Sequence, residues 1–349
     1  MRRSDLLFER PPDAVARTTP ERRGLARDEV RLMVSSRRGH EHARFRELDH
    51  FLAPGTLLVV NRSATLPASL PASAGIGRFT LNLSTRYGRN LWLAEPRWSP
   101  SYPGPLPLEP GERFEAAGLP GRLVAPYPGL PRLWFTAFGG DVGTAMALEG
   151  EPIRYAYLEA PFPPLASYQT IFSAVPGSAE MPSAGRPFTP EVLERLYRAG
   201  VRVAPIELHT GVSSLEIDDE EVERQPLYPE PFLVPAATAA AVNAARSEGR
   251  KVIAVGTTAV RALESAWRDG QVGATRGFTR RFVHPGRSVR TVDGLITGLH
   301  DPLASHLAML YAIAGEELVR SAYAEAASEG YLWHEFGDSH LILPGDAIA

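Results

Sequence analysis

The chain has 349 residues, 44% hydrophobic and 22% charged, with a formal net charge of −3 and a pI near 6.3. It has no cysteine, which excludes disulfides, thiolate metal sites, iron–sulfur clusters and a cysteine nucleophile. No apolar run is long enough to cross a bilayer, and no apolar h-region follows Met1-Arg2-Arg3, so the expectation is a cytoplasmic protein, monomeric, with two domains or one large domain carrying an insertion.

Residues 56–60, entered through Pro54-Gly55, predict a strand that closes a first zone at residue 65. From 66 to 140 the chain is crowded with Pro and Gly. Short alternating runs at 78–83, 91–94, 122–124 and 133–135 predict a small all-β unit, barrel-like, with a turn-rich connector at 102–107. From about 150 onward strands alternate with helices. Thr189 suits an N-cap and Pro190 the first helical position, giving a helix over 191–199 that stops at Gly200. A strand at 201–208 follows, then a helix at 236–247, a strand at 252–255 and a helix from 258 to 267. Two further helices fit 305–313 and 316–327. That alternation implies an α/β layer or barrel, so the expected division is a main α/β domain of residues 1–65 and 141–349 with the β unit of 66–140 inserted.

Four segments carry candidate chemistry. In Val255-Gly256-Thr257-Thr258, a buried strand runs into Gly, a Thr cap and a helix; such a turn presents backbone N–H groups to an anion, although ordinary β–α turns use the same residues. Arg261 sits in the first turn, where the helix dipole disfavours a cation, so Glu264 or a bound carboxylate is expected to compensate it. At Ile206-Glu207-Leu208-His209-Thr210-Gly211 a strand ends in a polar cluster, and His209 is either a general base or a structural histidine. The small-residue stretch 180–189 suits backbone that approaches a ligand closely, or a plain loop before a cap. In Trp333-His334-Glu335-Phe336-Gly337-Asp338-Ser339-His340, a purine could stack on Trp333 or Phe336 with Asp338 accepting hydrogen bonds. The acids and histidines of that stretch, and the pair His300 and His306, lack recognised metal spacing, so no metal is expected. No GxGxxG follows a strand, and neither a P-loop nor a GxSxG elbow is present. Apart from Lys251 every basic residue is Arg or His. The pairs Arg2-Arg3, Arg22-Arg23, Arg37-Arg38 and Arg280-Arg281 read as a solvated mixed surface, with a local basic face left open.

Taken in order, these segments resemble the QueA family, the S-adenosylmethionine:tRNA ribosyltransferase-isomerases. Residues 252–265, VIAVGTTAVRALES, are similar to the family's strand–GTT–VRALES element almost letter for letter. Tyr168-Gln169-Thr170, Pro182-Ser183-Ala184-Gly185 with Phe188, Leu208-His209-Thr210-Gly211, Val292-Asp293-Gly294-Leu295 with His300, and Phe336-Gly337-Asp338 fall in register, so the resemblance runs from Ser4 to Ile342. It implies a mixed α/β barrel-like domain with a small inserted β-barrel. It also implies S-adenosylmethionine as a ribosyl donor, with no metal. The sulfonium acidifies the ribose 5′-carbon and a base removes a proton. The carbon nucleophile then attacks 7-aminomethyl-7-deazaguanine in a tRNA anticodon, and rearrangement expels adenine and methionine to leave epoxyqueuosine. Carried onto this chain, His209 is the base, with Glu230 and Asp338 as further polar catalytic residues. Gly256, Thr257, Thr258 and Arg261 hold the donor's carboxylate or ribose hydroxyls. Tyr168, Gln169, Ser183, Ala184, Gly185, Phe188, Thr210, Gly211 and Phe336 line the donor site.

The sequence also departs from the family. Asn61-Arg62-Ser63-Ala64-Thr65 stands for Asn-Asp-Thr-Arg-Val, Pro67-Ala68-Ser69 for Pro-Ala-Arg, and Gly185-Arg186-Pro187-Phe188 for Gly-Leu-His-Phe; Gln225 and Tyr228 replace two histidines. Two guanidinium groups are missing, and a protein that pairs with fewer phosphates binds nucleic acid more weakly. Donor-side features persist while acceptor-side features change. Three possibilities stay open: tRNA as acceptor, a small-molecule acceptor (favoured by the near-neutral charge and the missing arginines), and a non-catalytic protein that binds an adenosyl ligand or RNA.

Overall fold

A computed structural model describes residues 1–99, 102, 104–212 and 216–345; the expected connector at 102–107 falls partly outside them. Two sheets organise the chain. The larger has nine strands, in the order Thr275–Thr279, Glu230–Val234, Arg202–Leu208, Leu57–Asn61, Val252–Val255, Gly294–Gly298, Ser339–Leu343, Arg31–Ser36 and Gly39–Arg44. The four from Arg202–Leu208 to Gly294–Gly298 are parallel to one another. Such strands are buried on both faces and read as continuous apolar runs, which is why 57–60 and 252–255 stand out in the sequence.

The two faces have separate cores. Leu57, Val59, Val252 and Ala254 pack with helices Ala236–Ser247, Thr257–Ala266, Ser305–Ala314 and Glu316–Ser328. Leu58, Val60, Ile253 and Val255 point the other way, onto helix Pro190–Arg198 through Val192 and Leu196, and onto Phe45 and Leu48. Alternation of side chains along a strand dictates this split. Thr189 caps the 190–198 helix by accepting from the Val192 N–H at 3.3 Å, as expected, and Gly200 follows it at φ +79°.

The smaller sheet is a closed six-stranded antiparallel barrel built from Ser69–Ala74, Gly77–Arg86, Leu91–Arg97, Arg113–Ala116, Leu119–Tyr127 and Leu130–Phe138. It has its own core, including Leu70, Leu81, Leu83, Phe114 and Leu123, onto which helix Val142–Glu149 packs through Val142 and Met146. Among the described residues no helix is long and apolar enough to cross a membrane.

Candidate active site at the strand ends

Pairing directions bring distant segments to one edge of the main sheet. The four parallel strands end there at Asn61, Leu208, Val255 and Gly298. Ser339–Leu343 runs antiparallel to Gly294–Gly298 with Ser339 opposite Gly298, so Phe336-Gly337-Asp338 arrives at the same edge. Glu230 begins a strand antiparallel to Arg202–Leu208 and lands there too. In α/β sheets this carboxyl edge is where ligands bind. Asn61 ties the ends together. Its Nδ2 donates to the Leu208 carbonyl at 2.8 Å and to Thr258 Oγ1 at 3.2 Å, and its Oδ1 accepts from the Leu208 and Ser63 N–H groups, each at 3.1 Å.

His209 follows directly. Its Nδ1 lies 2.7 Å from Ser63 Oγ, which lies 2.6 Å from Ser178 Oγ, and Ser178 Oγ accepts from the Thr210 N–H at 3.0 Å. Engagement of Nδ1 leaves Nε2 for a second partner. Burial pushes the imidazole below its ordinary value, against the pull of Glu207, so His209 is neutral at pH 7. Glu207 in turn accepts from Arg62 Nε at 2.9 Å, so the arginine that departs from the family pattern is neutralised on its own strand end. Gly177 passes flat against the imidazole: a Cβ there would lie 2.4 Å from Nδ1.

Helix Thr257–Ala266 starts at Gly256, whose φ of +87° suits glycine; the N-cap is therefore Gly256 and not the expected threonine. Arg261 reaches back to Glu230 in a close ion pair and donates from Nε to the Arg281 carbonyl at 3.1 Å. Glu230 Oε1 also accepts from the Gly211 N–H at 2.8 Å. The expectation that Glu264 compensates Arg261 is corrected. Glu264 lies among the 281–291 loop, where its Oε1 accepts from the Arg290 and Thr291 N–H groups and from Thr291 Oγ1 at 2.7, 2.9 and 2.8 Å. A 50 Å³ cavity opens beside Glu230 and Arg261, walled by Tyr228, Arg281, His306 and Met309. His306 stacks on His300 with ring centroids 4.5 Å apart, and burial lowers it to about 4, Arg261 adding to the effect. In the sequence His306 stands out only as half of a pair without metal spacing; its approach to Glu230 and Arg261 is set by tertiary packing.

A second group gathers Ser183, Ala184, Arg186, Glu335, Phe336 and Asp338 around a narrow recess. Asp338 clasps backbone, Oδ1 accepting from the Arg31 N–H and Oδ2 from the Leu332 N–H, each at 2.8 Å. Its oxygens thus already have donors, and burial raises the carboxyl regardless. The expectation of a purine stacked on Trp333 or Phe336 is corrected as well. Trp333 is buried and donates to the His300 carbonyl at 3.2 Å. Phe336 is covered by Tyr168, at 5.2 Å, and by the Arg186 guanidinium, 4.9 Å from its ring centroid. Arg186, new relative to the family, is matched by Glu21 at 2.9 Å. Phe188 packs between Phe45 and Phe172 at 4.9 and 5.1 Å and supports the recess from behind. Gln169 is spent on Thr65, accepting from its N–H at 3.1 Å and donating to its carbonyl at 2.8 Å. The hydroxyl of Tyr168 is buried with no protein partner, the kind of orphan a ligand would satisfy. Beside it, burial and the nearby Glu180 push Glu335 up to about 8, making it a neutral acid at pH 7.

A 560 Å³ cavity lies between the barrel, through Tyr127 and Phe135, and the main sheet, through Arg280, Phe282 and His284. It shares Leu227 and Phe282 with the cavity at Arg261. The small cavity, with its guanidinium, suits a carboxylate; the large one falls in the range of nucleoside-sized sites. This donor set fits S-adenosylmethionine, and among the described residues no cluster of three or more metal-ligating side chains occurs.

The chain matches the family model of the queuosine biosynthesis proteins over residues 3–342. It is 38% identical to the S-adenosylmethionine:tRNA ribosyltransferase-isomerase of Thermus thermophilus, over 96% of this chain and 98% of that one. With the enzyme of the same name from Rubrobacter xylanophilus it is 39% identical, over 99% and 98%. The crystal structure of an S-adenosylmethionine tRNA ribosyltransferase from Thermotoga maritima superimposes with a TM-score of 0.55 at 28% identity, covering 97% of this chain and all of that one.

Proposed function

The chain belongs to the queuosine biosynthesis protein family, and from that premise we propose that it transfers and isomerises the ribosyl group of S-adenosylmethionine onto a 7-aminomethyl-7-deazaguanine base of tRNA, releasing adenine and methionine. The observation that carries this reading is the convergence of His209, Gly256, Thr258, Glu230 and Arg261 at one sheet edge, where Glu230 and Arg261 line a small cavity that shares Leu227 and Phe282 with the 560 Å³ one. His209, neutral and held at Nδ1 by Ser63, takes the 5′ proton at Nε2. Arg261 binds the methionine carboxylate, its guanidinium held in place by Glu230. The first-turn N–H groups of helix Thr257–Ala266 add donors for the carboxylate or the ribose hydroxyls. Glu335, uncharged at neutral pH, stands as proton donor in the recess. Asp338 acts as a positioning residue for that recess.

The inserted barrel, residues 66–140, forms the far wall of the large cavity and so acts on the acceptor side. The protein works as a cytoplasmic monomer, both substrates being soluble. A small-molecule acceptor has less support, because the similar proteins are named for tRNA.

The test is single-turnover release of adenine and methionine by wild type, His209→Gln and His306→Gln, with donor binding measured by calorimetry. His209→Gln is expected to lose at least a hundredfold in rate with donor affinity retained. An unchanged rate in His209→Gln, with loss in His306→Gln, would transfer the base role to His306.

A further inference from the structure

Residues 276–290 differ in charge from the rest of the chain. They hold Arg276, Arg280, Arg281, Arg287 and Arg290 and no Asp or Glu, hence +5 in a chain that totals −3, leaving −8 for the remainder. Elsewhere arginines such as Arg62, Arg186 and Arg261 are tied to carboxylates. In this segment Arg281 is tied, to Glu264 at 3.4 Å. Arg276, Arg280, Arg287 and Arg290 are exposed, and among the described residues none has a carboxylate within ion-pair distance. Exposed charges without counter-charges repel one another, and an anionic partner would relieve that repulsion.

Geometry turns the composition into a track. Thr275–Thr279 is the outermost strand of the nine-stranded sheet. The two-residue repeat puts Arg276 and Phe278 on one side of it, with Arg280 just past its end. Phe278 is 54% exposed, unusual for so large a ring. Its centroid lies 5.7 Å from that of Tyr87, which lies 6.0 Å from Phe135, which lies 5.6 Å from Tyr127. This series of aromatic rings leads from the sheet edge into the 560 Å³ cavity, which Arg280, His284 and Arg287 also line. Glu223, the carboxylate of that cavity, is occupied by the N-terminal ammonium at 2.7 Å.

We propose that the Arg276–Phe278–Arg280 edge and the rings behind it form the surface that receives the single-stranded RNA of the acceptor, phosphates on the arginines and bases on the rings, leading the target base into the large cavity. The proposal rests on the function proposed above and assigns its RNA-contacting surface. Unpaired guanidinium groups supply sequence-independent phosphate affinity, and stacking on aromatic rings tolerates any base. An acidic polypeptide would use the arginines but has no need of the rings.

The test is direct binding of a fluorescent anticodon stem-loop RNA, without turnover, across a salt series. The proteins are wild type, the double variant Arg276→Gln/Arg280→Gln, its Arg→Lys counterpart and Phe278→Ala, each checked for unchanged thermal unfolding. The Gln variant is expected to bind at least tenfold more weakly at 0.1 M salt. Its log–log salt slope should be shallower by about 1.4 to 1.8, the amount that two phosphates contribute, and the Lys variant should keep the wild-type slope. Phe278→Ala should lose about fivefold or more. Equal binding and slope in wild type and the Gln variant, or no RNA binding by wild type, overturns the track. Wild type that binds RNA through these residues but releases no adenine leaves the track standing and removes the proposed reaction.

Discussion

Burial beside Glu180 pushes the Glu335 carboxyl from its ordinary 4.5 up to about 8, so the folded protein holds that proton more tightly than the unfolded chain. The resulting stabilisation is complete below about pH 4.5 and is lost as pH rises through about 8. Glu335→Gln, which cannot ionise, should therefore unfold at nearly the wild-type temperature at pH 4.5 and at a higher temperature than wild type at pH 8.5. Calorimetric scans at both pH values check this; a difference that does not change with pH would contradict it. His209 has the opposite sign. Its folded value is depressed by burial, so the neutral, proton-accepting form persists as pH falls below 6.5. The acidic limb of the rate profile should then lie below pH 6.5, and a limb above 7 would argue that another group is the base.

Among the secondary-structure elements, the turn from strand Val252–Val255 into helix Thr257–Ala266 bears most directly on the site. Gly256, at φ +87° and ψ 153°, occupies backbone space that other residues avoid. A Cβ there would meet Ala184 Cβ and Thr258 Oγ1 only at 3.5 Å, so the penalty is conformational and not a clash. Gly256→Ala should cost about 1–3 kcal/mol in urea unfolding, and a cost near zero would show that the turn relaxes freely. Glu264, two turns on, holds the 281–291 loop through four hydrogen bonds from a buried position. Glu264→Ala should destabilise by about 3–5 kcal/mol, because Arg281 and the loop amides lose their acceptor; hydrogen exchange at Arg290 and Thr291 would locate the loss. These elements also show what the sequence discloses. Helix Ala236–Ser247 and three of the four parallel strands, Leu57–Asn61, Arg202–Leu208 and Val252–Val255, were legible because apolar runs and glycine stops mark them locally; the fourth, Gly294–Gly298, has two glycines and a threonine in five residues and no such run. The edge strand Thr275–Thr279 was not, since its residues are mostly half-buried or exposed, and neither was its neighbour Glu230–Val234, which has prolines in and around it and pairs with strands distant in the chain. The site was legible as a set of motifs. Its internal pairings were not: Arg261 meets Glu230, 31 residues away, in preference to Glu264 on its own helix.

At the scale of the whole molecule, the formal charge of −3 conceals an acid-free, five-arginine segment at one sheet edge, so the balance that spoke against an RNA partner was an average over unlike regions. The new charges Arg62 and Arg186 are each cancelled by a neighbouring carboxylate, so neither adds to a phosphate track. The barrel and the main sheet keep separate cores and meet at the 560 Å³ cavity; in the proposed reading the acceptor lies between them and the donor on the main sheet. The most direct measurement is transfer of ribose-labelled S-adenosylmethionine to tRNA carrying 7-aminomethyl-7-deazaguanine, with adenine and methionine quantified in the same reaction. The account predicts label in the tRNA nucleoside and one adenine and one methionine released per label transferred. Label that never enters tRNA, while the protein binds the donor, would contradict it.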